Sequence, residues 1–139
     1  MNAPNDADAS YIEGSDGQNE QYSLAASGIP AGSVINSVAV LARVRKLVTN
    51  GLCYTNVYIG ASSSTQYGFS ATSTSYGDKL STAFGRPGGG AWVLADLAST
   101  EIKLMKSAGG DVRCTSLWLV VDYTAPAPVI DTGAFLQLF

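Results

Sequence analysis

The sequence contains no histidine among its 139 residues, so it lacks the commonest general base and metal ligand. Without histidine, neither a Ser-His-Asp nor a Cys-His catalytic arrangement is possible, and two isolated cysteines make no zinc site. The glycine-rich stretch at 85–90 lacks the Lys and Ser/Thr that follow in a phosphate-binding loop. We therefore expect no enzymatic activity, no catalytic residue, no metal site and no cofactor.

Charge is also scarce, at 14% of residues with a net charge of −3. Nucleic-acid binding needs a basic face, and the longest basic group is Arg43, Arg45 and Lys46, so no nucleic-acid partner is predicted. No apolar run reaches the ~18 residues of a membrane span, and residues 1–10 do not resemble a secretory signal. We expect synthesis in a cytoplasm, no membrane partner, and buried thiols at Cys53 and Cys114. A disulfide between these two cysteines is the alternative.

The longest alternating segment, residues 34–46, predicts a half-buried strand. One of its faces is expected to carry Val34, Val38, Val40, Ala42 and Val44. The opposite face mixes apolar and basic side chains, namely Ile35, Ser37, Ala39, Leu41, Arg43 and Arg45. This second face is therefore expected to be only partly exposed.

Other alternating segments predict strands at 10–13, 21–24, 53–60, 79–84 and 112–123, with polar strands and loops over 61–78. Asn50-Gly51 is a hairpin signal, and one helical turn is expected within 94–100. The pattern predicts an all-β domain over residues 1–124, an antiparallel jelly-roll-like β-sandwich. An extended, Pro-containing apolar C-terminal tail is expected to follow at 125–139.

Two apolar regions are candidate protein interfaces. Within 112–123, Trp118 and Val120 place apolar side chains on the face that a sandwich strand normally leaves polar. Either a loop or the tail covers this face, or it binds a partner, since Trp is enriched at interface hot spots. In the tail, Pro126 and Pro128 precede the further interface candidates Val129, Ile130, Phe135, Leu136, Leu138 and Phe139. This tail is expected to dock on the domain or, by preference, on a neighbour.

Tyr54 and Tyr58 form a second, weaker candidate site. Exposed aromatic side chains on a β-sandwich can stack on sugar rings, which would make this pair a glycan-binding site. The alternative is that both are ordinary strand residues, because tyrosine favours strands.

Four segments occur in order along the chain: DADASYIEGSDGQNEQYSL at 6–24, INSVAVLARVRK at 35–46, PGGGAWVLADLASTEIKL at 87–104 and VRCTSLWLVVDYT at 112–124. Together they resemble a β-sandwich module of tailed-bacteriophage virion structural proteins. The resemblance implies a capsid decoration or cement protein on the capsid surface, made in the host cytoplasm, that bridges and stabilises major capsid subunits. Its implied partners are the major capsid protein, further copies in a homodimer or homotrimer, or both. The alternatives are a tail- or fibre-associated carbohydrate- or receptor-binding module and a tail or neck structural subunit.

Overall fold

The computed structural model describes residues 12–14, 19–23 and 28–128 of the chain. These ranges form antiparallel strands and one short helix, which confirms the expected all-β, antiparallel character. The strands are β1 (Ile12–Gly14), β2 (Asn19–Ser23), β3 (Val34–Lys46), β4 (Gly51–Ile59), β5 (Ser62–Ser63), β6 (Tyr67–Ala71), β7 (Gly77–Leu80), β8 (Thr100–Gly109) and β9 (Val112–Thr124), and the helix α1 (Leu94–Leu97) precedes β8.

The strands form two sheets that share one core. The first sheet has the order β1-β9-β3-β7, and the second has the order β2-β8-β4-β5, with β6 also pairing with β4. Apolar side chains from the inner face of each sheet meet between them, which removes apolar surface from water and stabilises the fold. Fully buried members are Val38, Val40 and Ala42 from the first sheet and Val57 and Ile102 from the second.

The strand at 34–46 was predicted with its correct bounds, but the assignment of its first two residues to faces was wrong. Val34 is 62% exposed, whereas Ile35 is 7% exposed and joins the core. The pairing of β3 with β9 shifts register between Ile35 and Ser37. Such a bulge inserts one residue and reverses the facing of everything before it. From Val38 onward the predicted inward set is confirmed, and Val38, Val40, Ala42 and Val44 are all buried.

The segment at 79–84 is only partly the predicted strand, because β7 ends at Leu80. Ser81 then replaces regular pairing with a side-chain contact to β3. Its amide donates to the Val40 carbonyl at 2.9 Å, and its hydroxyl accepts from the Val40 amide, also at 2.9 Å. Phe84 donates its amide to the Val38 carbonyl at 2.8 Å. This stretch therefore stays beside β3 while the chain leaves the first sheet.

Two turns pack against each other at one end of the sandwich. The Gly110 amide donates to the Asn50 carbonyl at 2.9 Å, which joins the β8–β9 turn to the β3–β4 turn. Gly109 adopts a φ of +81°, and a Cβ at this position would overlap the Asn50 carbonyl oxygen. Glycine is therefore required here both for its left-handed backbone and for the close approach.

Candidate functional site

The outer surface of the first sheet carries a cluster of apolar side chains. Directly opposite residues on neighbouring strands project to the same side of a sheet. Leu41 of β3 lies opposite Leu80 of β7 and opposite Trp118 of β9, while Ala39 lies opposite Val120. These five side chains form the apolar face: Ala39, Leu41, Leu80, Trp118 and Val120.

Two members of the apolar face are exposed among the described residues. Leu80 is 55% exposed and Val120 is 40% exposed, whereas Ala39, Leu41 and Trp118 are half-buried. The predicted location of Trp118 and Val120 on one outward face is thus confirmed, and the structure adds Leu41 and Leu80 from neighbouring strands. The tail candidates Val129, Ile130, Phe135, Leu136, Leu138 and Phe139 lie outside the described residues.

A charged and aromatic border lies next to the apolar face on the same sheet. Arg43 lies two residues after Leu41 on β3, on the same outer side. It forms a salt bridge with Asp78 of β7, with 2.9 Å between Nη1 and Oδ1. The Arg45 guanidinium lies 5.3 Å from the centroid of the Tyr76 ring and donates to the Thr74 carbonyl at 3.3 Å. The outer surface of the first sheet is therefore divided into an apolar part and a polar part, an arrangement like the core and rim of a protein interface.

The outer surface of the second sheet is built differently. Tyr54, Asn56 and Tyr58 occupy alternate positions of β4 on its outer side, although Asn56 is only 4% exposed. Asn56 and Tyr58 lie opposite Lys103 and Glu101 of β8. We name these five residues the polar face. The Lys103 Nζ lies 5.8 Å from the centroid of the Tyr58 ring, within the range of a cation–π contact.

Tyr54 lies against the backbone of β6 on this same face. A Cβ placed on Gly68 would be 2.9 Å from Cε1 of the Tyr54 ring. The structure thus brings the predicted pair Tyr54 and Tyr58 to one surface and half-buries both side chains. Each tyrosine already has a neighbour within the chain, which is consistent with an ordinary strand role and leaves part of each ring accessible.

A charged network holds the glycine-rich loop at 85–90 in place, and this network was not predicted from the sequence. Arg86 forms a two-pronged contact with Asp96, from Nε to Oδ2 at 2.8 Å and from Nη2 to Oδ1 at 2.9 Å. Oδ2 of Asp96 also accepts the Val93 amide at 2.9 Å, at the start of α1. The Trp92 indole donates to the Phe84 carbonyl at 3.0 Å. These contacts fix the crossing from the first sheet to the second.

The electrostatics of this network follow from its geometry. The hydrogen bond from Arg86 is the main cause that holds the pKa of Asp96 below its ordinary value, although burial opposes it. The pKa of Arg86 is raised in turn, mainly by the same hydrogen bond. The ionised Asp96 carboxylate, paired with Arg86, stabilises the loop. The sequence signal was the position of Asp96 three residues after Val93, where a carboxylate can cap a helix start.

Cys53 and Cys114 are free and buried, as predicted, on β4 and β9. Burial raises the pKa of Cys53 to about 11, with a smaller lowering effect from nearby Lys106. Burial likewise raises the pKa of Cys114 to about 12. Both side chains pack as small apolar residues in the core.

Within residues 12–14, 19–23 and 28–128, no three His, Cys, Asp or Glu side chains are grouped as a metal ion would need. The same ranges hold no helix that is long and apolar enough to cross a membrane. Comparison with known proteins found no matching family model, no matching curated relative and no matching solved structure.

Proposed function

We propose that this chain is a non-catalytic structural protein that binds other proteins through its apolar face. The observation that carries the proposal is the row formed by Leu80, Leu41 and Trp118 across three neighbouring strands. An apolar cluster of this kind, rimmed by polar residues, is typical of a protein interaction site. Full burial of an exposed Leu or Val side chain contributes about 1.5–3 kcal/mol, so a partner that covers Leu80 and Val120 gains substantial binding free energy.

We further propose that the fold is a jelly roll, a finer description than the antiparallel sandwich. The support is the strand order. With β5 and β6 counted as one position, eight positions fall into the orders β1-β9-β3-β7 and β2-β8-β4-β5. Successive strands thus alternate between the sheets, except where β5 and β6 stay beside β4. Double-sheet jelly rolls of eight strands are common in viral capsid and lectin domains.

The setting that we propose is a bacteriophage virion, with the chain as a capsid decoration or cement protein. The resemblance of segments 6–24, 35–46, 87–104 and 112–124 to phage virion modules supports this setting, and the jelly-roll strand order agrees with it. The mechanism is passive. The apolar face binds a major capsid subunit or a further copy of the chain, and the added binding free energy stabilises the capsid lattice against internal pressure.

Cryo-EM of particles assembled with the full chain tests this proposal. Density for the sandwich on the capsid lattice, with the apolar face against a neighbour, is expected.

Val120→Lys should lower occupancy at least tenfold, because it buries a charge in the contact. Val48→Lys is the matched control, since Val48 is 81% exposed and lies in the β3–β4 turn, away from the apolar face. Equal occupancy for wild type and Val120→Lys would overturn the role of the apolar face. Density at the tail or neck would replace the decoration role by a tail or neck subunit.

A second candidate function is glycan binding by a tail- or fibre-associated module, favoured by the polar face. Tyr54 and Tyr58 lie on one surface beside Lys103 and Glu101, so aromatic stacking and polar contacts to hydroxyl groups are available together. Glycan-array binding by the full chain, lost in both Tyr54→Ala and Tyr58→Ala, would support this function. Absence of binding to any glycan by the folded wild type would exclude it in favour of protein binding.

A further inference from the structure

The chain leaves the first sheet at a defined place. β9 ends at Thr124, opposite Val34 at the start of β3, and residues 125–128 are exposed and outside any strand. Pro126 lies beside the turn that precedes β3, since a Cβ on Gly32 would be 3.6 Å from the Pro126 Cβ. The C-terminal segment 129–139 therefore begins at the end of the sheet that carries the apolar face.

The composition of this C-terminal segment matches the apolar face. Asp131 is its single charged side chain. More than half of its residues are large and apolar, namely Val129, Ile130, Phe135, Leu136, Leu138 and Phe139. Such a segment gains free energy when it covers an apolar surface, and the apolar face offers Leu80 and Val120 at 55% and 40% exposure.

The reach of the segment is sufficient. Trp118 lies six positions before Thr124 on β9, about 20 Å along the strand. Eleven extended residues span up to about 36 Å. To reach the apolar face of its own chain, the segment would have to reverse direction after the Pro126 contact at the end of β9. A neighbouring copy can be reached without that reversal.

We infer that residues 129–139 of one copy dock on the apolar face of a second copy. This inference rests on the proposed function, because it names the occupant of the same face. Reciprocal docking between two copies gives a closed dimer, and head-to-tail docking around a ring gives a trimer. In either assembly, each copy supplies one segment and one face.

Sedimentation of the full chain and of two full-length variants tests the inference. Leu80→Lys places a charge on the face, and the double variant Leu138→Ser, Phe139→Ser weakens the segment. Wild type is expected to be a dimer or trimer of 14.4 kDa chains, and each variant should weaken association at least tenfold. Val48→Ser is the control for loss of an exposed apolar side chain and should associate as wild type does. Circular dichroism and thermal melting verify that every variant is folded.

Mixing the two variants gives the decisive result. The first variant retains an intact segment and the second an intact face. A one-to-one complex should therefore form at concentrations at which each variant alone is monomeric. A monomeric wild type, or a mixture without a complex, would overturn the inference. Particle occupancy of the same variants separates this failure from failure of the proposed function. If the wild type is monomeric and Leu80→Lys still loses occupancy on the particle, segment docking is overturned. The proposed binding of a partner by the apolar face then stands.

Discussion

The apolar face and the polar face lie on opposite sides of one core, each on the outer side of its own sheet. On the polar face, outward side chains contact each other, since Lys103 lies over Tyr58 and Tyr54 covers Gly68. On the apolar face, Leu80 and Val120 are left exposed. The polar face thus makes many of its side-chain contacts within the chain. On the apolar face, covering Leu80 and Val120 would bury further apolar surface and so gain free energy.

This difference explains why alternation alone does not identify a binding surface. Burial alternates over much of both strands, from Val38 onward in β3 and over the first five residues of β4. What separates them is which residues the neighbouring strands add, Leu80 and Trp118 beside β3 and Lys103 and Glu101 beside β4. A binding face is therefore a property of the strand order as well as of any one strand.

The largest effect on stability is expected from a substitution at the crossing between the two sheets, because both faces depend on the folded sandwich. Asp96→Ala removes an acceptor for Arg86 and for the Val93 amide. The free energy of unfolding should fall by about 2–3 kcal/mol, because the buried Asp96 carboxylate and its charge-assisted hydrogen bonds are lost. Urea denaturation measures this change. The control Asp122→Ala, at an exposed position of β9, should change the free energy of unfolding by no more than about 0.5 kcal/mol. Equal losses in the two variants would contradict the assigned role of Asp96.

The same carboxylate predicts an acid dependence. Its pKa in the folded state lies below its ordinary value, with the Arg86 hydrogen bond as the main cause. A depressed carboxyl pKa contributes stability that is fully present above the ordinary value of ~3.9 and is lost as pH falls through the folded value. Wild type and Asp96→Ala should therefore differ most in stability above about pH 5 and converge as pH falls toward 2. Urea titrations across this range measure the difference, and a constant gap would count against it.

The next prediction compares the two faces by the effect of one substitution in each on association. Leu80→Ser on the apolar face should weaken association at least tenfold, equivalent to about 1.4 kcal/mol. Tyr58→Ser on the polar face should change association by less than about twofold, as residues outside a hot spot usually do. Sedimentation of the full-length variants measures both. A larger effect from Tyr58→Ser would reverse the assignment of the two faces.

A smaller effect is expected inside the polar face. Gly68→Ala places a Cβ against the Tyr54 ring, and the ring must shift to accommodate it. The free energy of unfolding should fall by about 1 kcal/mol, and association should not change. Combining Gly68→Ala with Tyr54→Ala should remove most of this loss, since the overlap is then absent. Persistence of the full loss in the double variant would show that the strain lies in the β6 backbone.

The smallest effect concerns Lys103 and Tyr58. A double-mutant cycle with Lys103→Met and Tyr58→Leu should give a coupling energy of about 0.5 kcal/mol, typical of a cation–π contact at an accessible site. Thermal or urea unfolding of the four proteins measures it. A coupling energy indistinguishable from zero would mean that the polar face is held together by strand pairing alone.

The all-β architecture and the long strands could be predicted because alternation at 34–46 and 112–123 is strong. The facing of Val34 and Ile35 could not be predicted, because a bulge depends on how β3 pairs with β9 and leaves no local sequence signal. The end of β7 at Leu80 was missed for a related reason. Ser81 continues beside β3 through its hydroxyl group, which a count of apolar positions does not detect.

The candidate site was predictable only in part. Trp118 and Val120 were identified from one strand, because both faces of that strand are apolar. Leu41 and Leu80 were not identified, since their place beside Trp118 follows from the order β9-β3-β7. The contact between Arg86 and Asp96 was missed because its two ends lie ten residues apart on either side of a glycine-rich loop.

The strand order also has a consequence for how the chain folds during synthesis. β9 lies between β1 and β3, and β8 lies between β2 and β4. Residues 100–124 thus supply one interior strand of each sheet, and β1 and β2 have no strand to join until these residues leave the ribosome. Such long-range pairing is slow and leaves strand edges exposed to neighbouring chains in the meantime. The nascent protein therefore depends on its late hairpin to close both sheets before other nascent chains pair with their edges.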